Sequence, residues 1–243
     1  MVPEPPRRPA TSDRRFLTVA AATAFAVVFA GFARSYFLKS LFGGPPLPWL
    51  LHVHALLMIS WFVLFFVQLR LSATRRIALH RRLGVFGGAL AGLMVIVGFV
   101  VARRAAARDL AVPGDLEFLG FLLYALLMFA VLVSVALLLR RRKDYHQRFM
   151  LFSCLSMVGP GVARIPLEGV PVLSVLKTGG PLGLLGFMLV LAYACIGVDT
   201  WRHRRLHPAF LLGLVLLATE DLPPLGMFLA SPTWLHIAKW LVS

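Results

Sequence analysis

Acidic residues and cysteines are what this chain has least of. Asp and Glu number 10 against 25 Lys and Arg, and the two cysteines are Cys154 and Cys195. Both lie among Leu, Met and Ala inside apolar stretches, where a thiol behaves as a small hydrophobe. No disulfide framework or Cys-x-x-Cys redox motif can be built from them. A glycine-rich phosphate loop, a Ser-His-Asp pattern and a His-Glu-x-x-His zinc helix are also missing, which removes support for the familiar soluble-enzyme chemistries. So is any hydrophilic block long enough to fold as a separate soluble domain.

What the chain has in abundance is apolar residues, 59% of 243, against 14% charged, with a mean hydropathy of +0.83. Such a chain cannot hide its apolar surface in a soluble core, so a bilayer has to be its solvent. The net charge of +15 would suit nucleic acid if the basic residues shared one soluble face. Instead they occupy short loops between apolar runs, where they act as orientation signals and contacts to anionic lipid headgroups.

The apolar runs set the fold expectation: all-α, a polytopic membrane bundle of about seven transmembrane helices, each near the ~20 residues that cross a hydrocarbon layer. Six spans are predicted at residues 16–37, 47–71, 83–101, 116–139, 148–165 and 181–200. A seventh begins at Pro208, a suitable first-turn residue, and is interrupted at Pro223-Pro224. Residues 225–242, with Trp234, His236, Lys239 and Trp240, suit an interfacial helix or a bent continuation. Residues 16–243 thus form one domain, preceded by a Pro- and Arg-rich tail over 1–15 that reads as disordered. Gly31-Phe32-Ala33 resembles a signal-peptidase site, but the run before it is long enough to span, so an uncleaved anchor is expected.

The N-terminal tail and the second, fourth and sixth loops carry most of the 25 basic residues. By the positive-inside rule these four segments are cytoplasmic and the C-terminus lies outside, in a bacterial inner membrane. Two of the segments share a pattern. His80-Arg81-Arg82 opens the third span and His146-Gln147-Arg148 the fifth, each with Phe six places after His. The second-plus-third and fourth-plus-fifth spans therefore read as two copies of one helical hairpin.

Histidine is the commonest metal ligand and the usual axial ligand of a membrane haem b. His80, His146, His203 and His207 fall at the cytoplasmic side, and His52, His54 and His236 toward the outer side. His54 heads a stripe of Met58, Trp61, Phe65 and Gln68 at helical spacing, a face expected to look into the bundle, whereas His52 points about 200° away at 100° per residue. A histidine at a helix start can equally sit at the headgroup interface with no ligand at all.

Carboxylates mark a second candidate. Glu220 and Asp221 follow His207 by about 13 residues, some 20 Å of helix. Acids at that depth are functional candidates by default, unless the seventh helix ends near Thr219 and leaves them in an outer turn. The same arithmetic places Arg34, Arg164 and Glu168 near the outer surface, so His54, Arg34, Arg164, Glu168, Glu220 and Asp221 are expected to cluster there. Gly159-Pro160-Gly161 and Gly179-Gly180-Pro181 break the pattern, most simply for helix packing.

At His54 to Trp61, at Leu79-His80-Arg81-Arg82-Leu83-Gly84 and at His146-Gln147-Arg148-Phe149-Met150, the sequence resembles uncharacterised bacterial multi-pass proteins. More distantly it is similar to histidine-bearing membrane proteins of cytochrome-oxidase assembly and to b-type membrane cytochromes. That resemblance implies haem or metal ligation by His54, His80 and His146; His207, opening the seventh span after Arg204 and Arg205, is a looser third instance of the repeated opening and a further candidate ligand. Three functions follow as expectations: electron transfer or respiratory-complex assembly through a haem or metal; proton-coupled transport through the intramembrane acids; or a non-catalytic subunit or lipid-binding scaffold.

Overall fold

The computed structural model describes residues 10–43, 45–107, 114–162, 164–165, 181–219 and 223–243, and among them every regular element is helical. Helix α1 spans Ala10–Phe32 and continues into a π-helical turn, Ala33–Phe37; a short α2, Lys39–Phe42, follows. Next come α3 (Trp49–Ala73), α4 (Ile77–Ala106), α5 (Asp115–Leu138), α6 (Lys143–Leu155) and α7 (Gly159–Val162). The chain then forms α8 (Pro181–His203), α9 (Pro208–Ala218), α10 (Pro223–Leu229) and α11 (Pro232–Val242).

Four helical stretches are long and apolar enough to cross a membrane: Asp13–Phe37, Trp49–Ala73, Ile77–Ala106 and Asp115–Leu138. At about 1.5 Å per residue they reach or exceed the ~30 Å hydrocarbon layer. Only 17% to 33% of their most apolar windows is buried, and large apolar side chains such as Val63, Val85 and Ile96 face outward. Water would penalise that surface, whereas acyl chains match it, so the outward faces are those of a membrane protein.

Helix α6 is the centre of the bundle. Phe149, Leu151, Phe152, Cys154 and Leu155 are fully buried, and the helix packs against α1, α5, α8 and α9. Phe152 meets the Phe210 ring of α9 edge-on at 5.5 Å. The predicted inward stripe of α3 holds: Trp61 and Phe65 are buried and Met58 packs against the same core.

Several expectations shift. Helix α1 starts at Ala10, inside the tail expected to be disordered, while residues 1–9 lie outside the described residues. The fifth predicted span divides into α6 and α7, because Gly159-Pro160 follows a turn at Ser156 to Val158. This break serves packing: a Cβ built on Gly31 would collide with the Gly161 backbone, so α1 and α7 approach to a distance only glycine allows. The seventh span takes the shorter of its two expected forms, with its helix ending near Thr219. Helix α9 has 11 residues, about 16 Å, and ends at Ala218. The C-terminal segment forms two short helices. Trp234 of α11 donates through Nε1 to the Leu116 carbonyl at 2.9 Å, and Ala238 and Val242 pack against Ala102 and Ala106 of α4.

Candidate functional site at the basic end of the bundle

Three contacts gather the segments that carry most of the positive charge. Asp13 of α1 accepts from Arg202 of α8 at 3.2 Å, His207 faces Asp144 at 3.0 Å, and the His80 and His146 rings meet edge to face at 6.4 Å. The start of α1 and the α3–α4, α5–α6 and α8–α9 turns therefore share one end of the bundle, as their charge predicted. Two of these turns are tight enough to hold a non-glycine residue in the left-handed region, Arg75 and Arg204, both at φ 57°.

A buried ion pair lies at the heart of this end. Arg148, on the second turn of the central helix, donates through Nη2 to Asp199 Oδ1 at 2.7 Å and Oδ2 at 2.9 Å. Its Nη1 donates to the Asp144 carbonyl at 3.0 Å, and the guanidinium lies 5.4 Å from the Phe210 ring centre. One arginine thus ties α6 to α8 and α9. His203, one turn after Asp199, places Nδ1 2.9 Å from the Asp199 carbonyl and Nε2 3.4 Å from Asp13 Oδ1. These groups line a cavity of about 300 Å³ to which Lys143, Gln147 and Arg205 also contribute.

His207 has both ring nitrogens engaged. Nδ1 accepts from the Ala209 N–H, capping α9, and Nε2 therefore bears the hydrogen that Asp144 Oδ2 accepts. In that arrangement both ring nitrogens of His207 are taken up by hydrogen bonds. For Asp144, partial burial pushes the carboxyl up, but the bond from His207 and backbone N–H donors outweigh it and hold it below the usual carboxylate range.

His80 and His146, the equivalent residues of the two hairpins, come together, a pairing that the repeat alone did not predict. His146 Nδ1 lies 2.8 Å from the Ala136 carbonyl, which orients the ring and leaves Nε2 for another partner. Gln68 of α3 donates to the His80 carbonyl at 3.1 Å. His80 Nδ1 and Gln68 Oε1 are both buried with no hydrogen-bond partner.

The other predicted site residues are placed apart from this pair. His54 is half-buried with an unpartnered Nδ1, and it sits 14 residues before Gln68, about 21 Å along α3. It cannot share a ligand with His80 and His146. Arg34 lies over the Phe42 ring at 5.1 Å; Arg164 lies over Phe32 at 4.7 Å and donates to the Pro160 carbonyl at 2.8 Å. Arg164 thus has an acceptor and a ring beside it, and Arg34 a ring. Glu168, Glu220, Asp221 and Gly179-Gly180 lie outside the described residues. His52 bonds the Tyr36 hydroxyl at 3.1 Å, on the opposite side of α3 from the core, as its spacing predicted.

Asp13, Asp144, Arg148 and Asp199 were missing from the predicted site. The signal was present in the sequence: Asp199 is an acid one turn before the basic end of the sixth span, and Arg148 is a base at the same end of the fifth. Among the described residues, no group of three or more His, Cys, Asp or Glu side chains is placed to hold a metal ion. No family model, curated protein or solved structure matches the chain.

Proposed function

We propose that this is a bacterial inner-membrane protein of seven spans, N-terminus cytoplasmic and C-terminus outside, that holds a metal ion between His80 and His146. The role is electron transfer or the assembly of a respiratory complex. The carrying observation is the 6.4 Å separation of the two rings together with a buried, uncommitted His80 Nδ1. With metal–nitrogen bonds of about 2.0–2.1 Å and about 1.1 Å from nitrogen to ring centre, two imidazoles on one ion have centres about 5.1 Å apart at a tetrahedral angle and about 6.3 Å apart when opposite, so a rotation of the edge-on rings brings both nitrogens to a shared ion. The bond from His146 to the Ala136 carbonyl is the kind of support that orients a ligating histidine. Two protein ligands leave the other positions to water or to a partner's group.

A bare ion suits this pair better than a haem. Neither His80 nor His146 lines the cavity of about 300 Å³, and a porphyrin would require the helices around the pair to part. The seven-span reading adds α6–α7, α8 and α9 to the four long helices; α9 reaches only part-way across and turns Leu211, Leu212 and Val215 outward. Seventh-helix length aside, the gathering of basic turns at one end supports a cytoplasmic placement for that end.

The test is metal analysis and an absorption spectrum, oxidised and reduced, on detergent-purified protein loaded with Cu, Zn or Fe. One equivalent of metal, lost in both His80→Ala and His146→Ala but kept in His54→Ala, supports the proposal. A reduced b-type band would replace the ion by haem. Protein that folds yet binds neither overturns it.

A second reading, proton-coupled transport, draws on one observation. His203 stands between Asp199 and Asp13, so gain of a ring proton turns its contact with Asp13 from acceptor against acceptor into donor on acceptor. This adds His203 and Asp13 at the basic end to Glu220 and Asp221 as candidate proton-carrying groups.

A further inference from the structure

Beside the polar cavity runs a second, apolar one of about 570 Å³, between α1 and α8. Val19 and Thr23 line it from α1, and Leu191, Ala194 and Val198 from α8. The helices run in opposite senses along it, yet both bring an arginine to the same mouth: Arg15 precedes the apolar residues of α1, and Arg202 follows those of α8. Arg202 is fixed there by Asp13 at 3.2 Å and lies 5.6 Å from the Phe16 ring centre, while Arg15 is exposed.

The dimensions define the occupant. From Arg15 to Thr23 is eight residues, about 12 Å, and from Leu191 to Arg202 is eleven, about 16 Å. Half of the ~30 Å hydrocarbon layer is about 15 Å, the depth of one leaflet. A track of that depth with two cations at its mouth matches an acyl chain below a phosphate. Asp13 joins the mouth to the polar cavity, because it accepts from Arg202 and also lines the cavity that holds Lys143, Arg148 and Arg205. A headgroup seated between Arg15 and Arg202 would therefore have charged and hydrogen-bonding groups within reach.

We propose that the α1–α8 groove is a binding site for one anionic phospholipid, its phosphate between Arg15 and Arg202 and one acyl chain along Val19, Thr23, Ala194 and Val198. The site is separate from the His80–His146 pair and stands without it. Exposed Val19 and Val198 give the chain an apolar wall; Asp13 offsets the charge of Arg202, so the exposed guanidinium of Arg15 supplies the net positive charge that discriminates against a zwitterionic headgroup.

The experiment is native mass spectrometry of the full chain in detergent, titrated with phosphatidylglycerol or with phosphatidylcholine of the same acyl chains. Phosphatidylglycerol is expected to bind at least about fivefold more tightly, the worth of one interfacial basic residue. Arg15→Gln should erase that preference, and Val19→Trp, which fills the groove, should weaken both lipids. Arg104→Gln, a basic residue on α4, should change neither. Equal binding of the two lipids, or full retention of the preference in Arg15→Gln, overturns the proposal. So does competition by inorganic phosphate alone at matched concentration, since a free anion has no use for the groove.

Discussion

Arg148 and Asp199 form a two-pronged ion pair inside the bundle, with both side chains no more than 5% exposed. The pair joins α6 to α8 from residues 51 apart in sequence. Taking two charges out of water is costly, and the attraction offsets that cost only while both partners remain. It therefore resembles a registration device for α8 more than a source of net stability.

The expected outcome is asymmetric. Arg148→Met or Asp199→Asn alone leaves a charge or polar group unpaired in a buried place and should cost about 3–5 kcal/mol. The double variant Arg148→Met/Asp199→Leu should melt closer to wild type than either single variant. Thermal unfolding in detergent, read as a double-mutant cycle, measures the difference. Additive losses would show that the two residues act independently.

The four long spans were legible because hydropathy over some 20 residues is a property of local sequence. Two of them moved by one or two residues at each end, Trp49–Ala73 against 47–71 and Asp115–Leu138 against 116–139, whereas Ile77–Ala106 extends the predicted 83–101 by about a turn and a half at each end, through the basic residues that hydropathy excludes. The inward stripe of α3 was legible for the same reason, since spacing alone sets a helical face. Residues 148–165 were harder to divide, because Gly159-Pro160 can kink a helix or end it, and the choice rests on Gly161 docking against α1. The site was only half legible. The His80–His146 repeat announced a relationship that the fold turns into contact, but partners such as Asp199 and Asp13 are selected by which helices become neighbours. Charge counting treated Arg148 and Arg202 as orientation signals, yet each is also ion-paired within the bundle.

Orientation has a direct check. Thr74 lies in the turn between α3 and α4, at the basic end, and Ser243 closes the chain after α11. Both native cysteines are buried, so background labelling should be small. In intact bacterial cells a membrane-impermeant maleimide should label Ser243→Cys and spare Thr74→Cys until the membrane is opened. The reverse pattern would invert the whole bundle, and labelling of both residues from outside would place the two ends on one side.

The Asp144–His207 contact carries a pH dependence whose sign follows from the carboxyl. Its proton affinity is held below the usual range in the folded protein, by the His207 bond and backbone donors against the opposing push of partial burial. An unfolded Asp titrates near about 3.9. The contact therefore contributes its full stability above that value and loses it as pH falls through the lower, folded value. Asp144→Asn removes the titration. Because the Asp144 side chain is 56% exposed, water screens the pair and the effect should stay below about 1 kcal/mol. Melting temperatures of wild type and Asp144→Asn should thus differ by a constant small margin from about pH 5 to 7, then converge below about pH 4. A margin that widens on acidification would mean that Asp144 is protonated more readily in the folded state, with His207 supplying cap geometry to α9 and little charge.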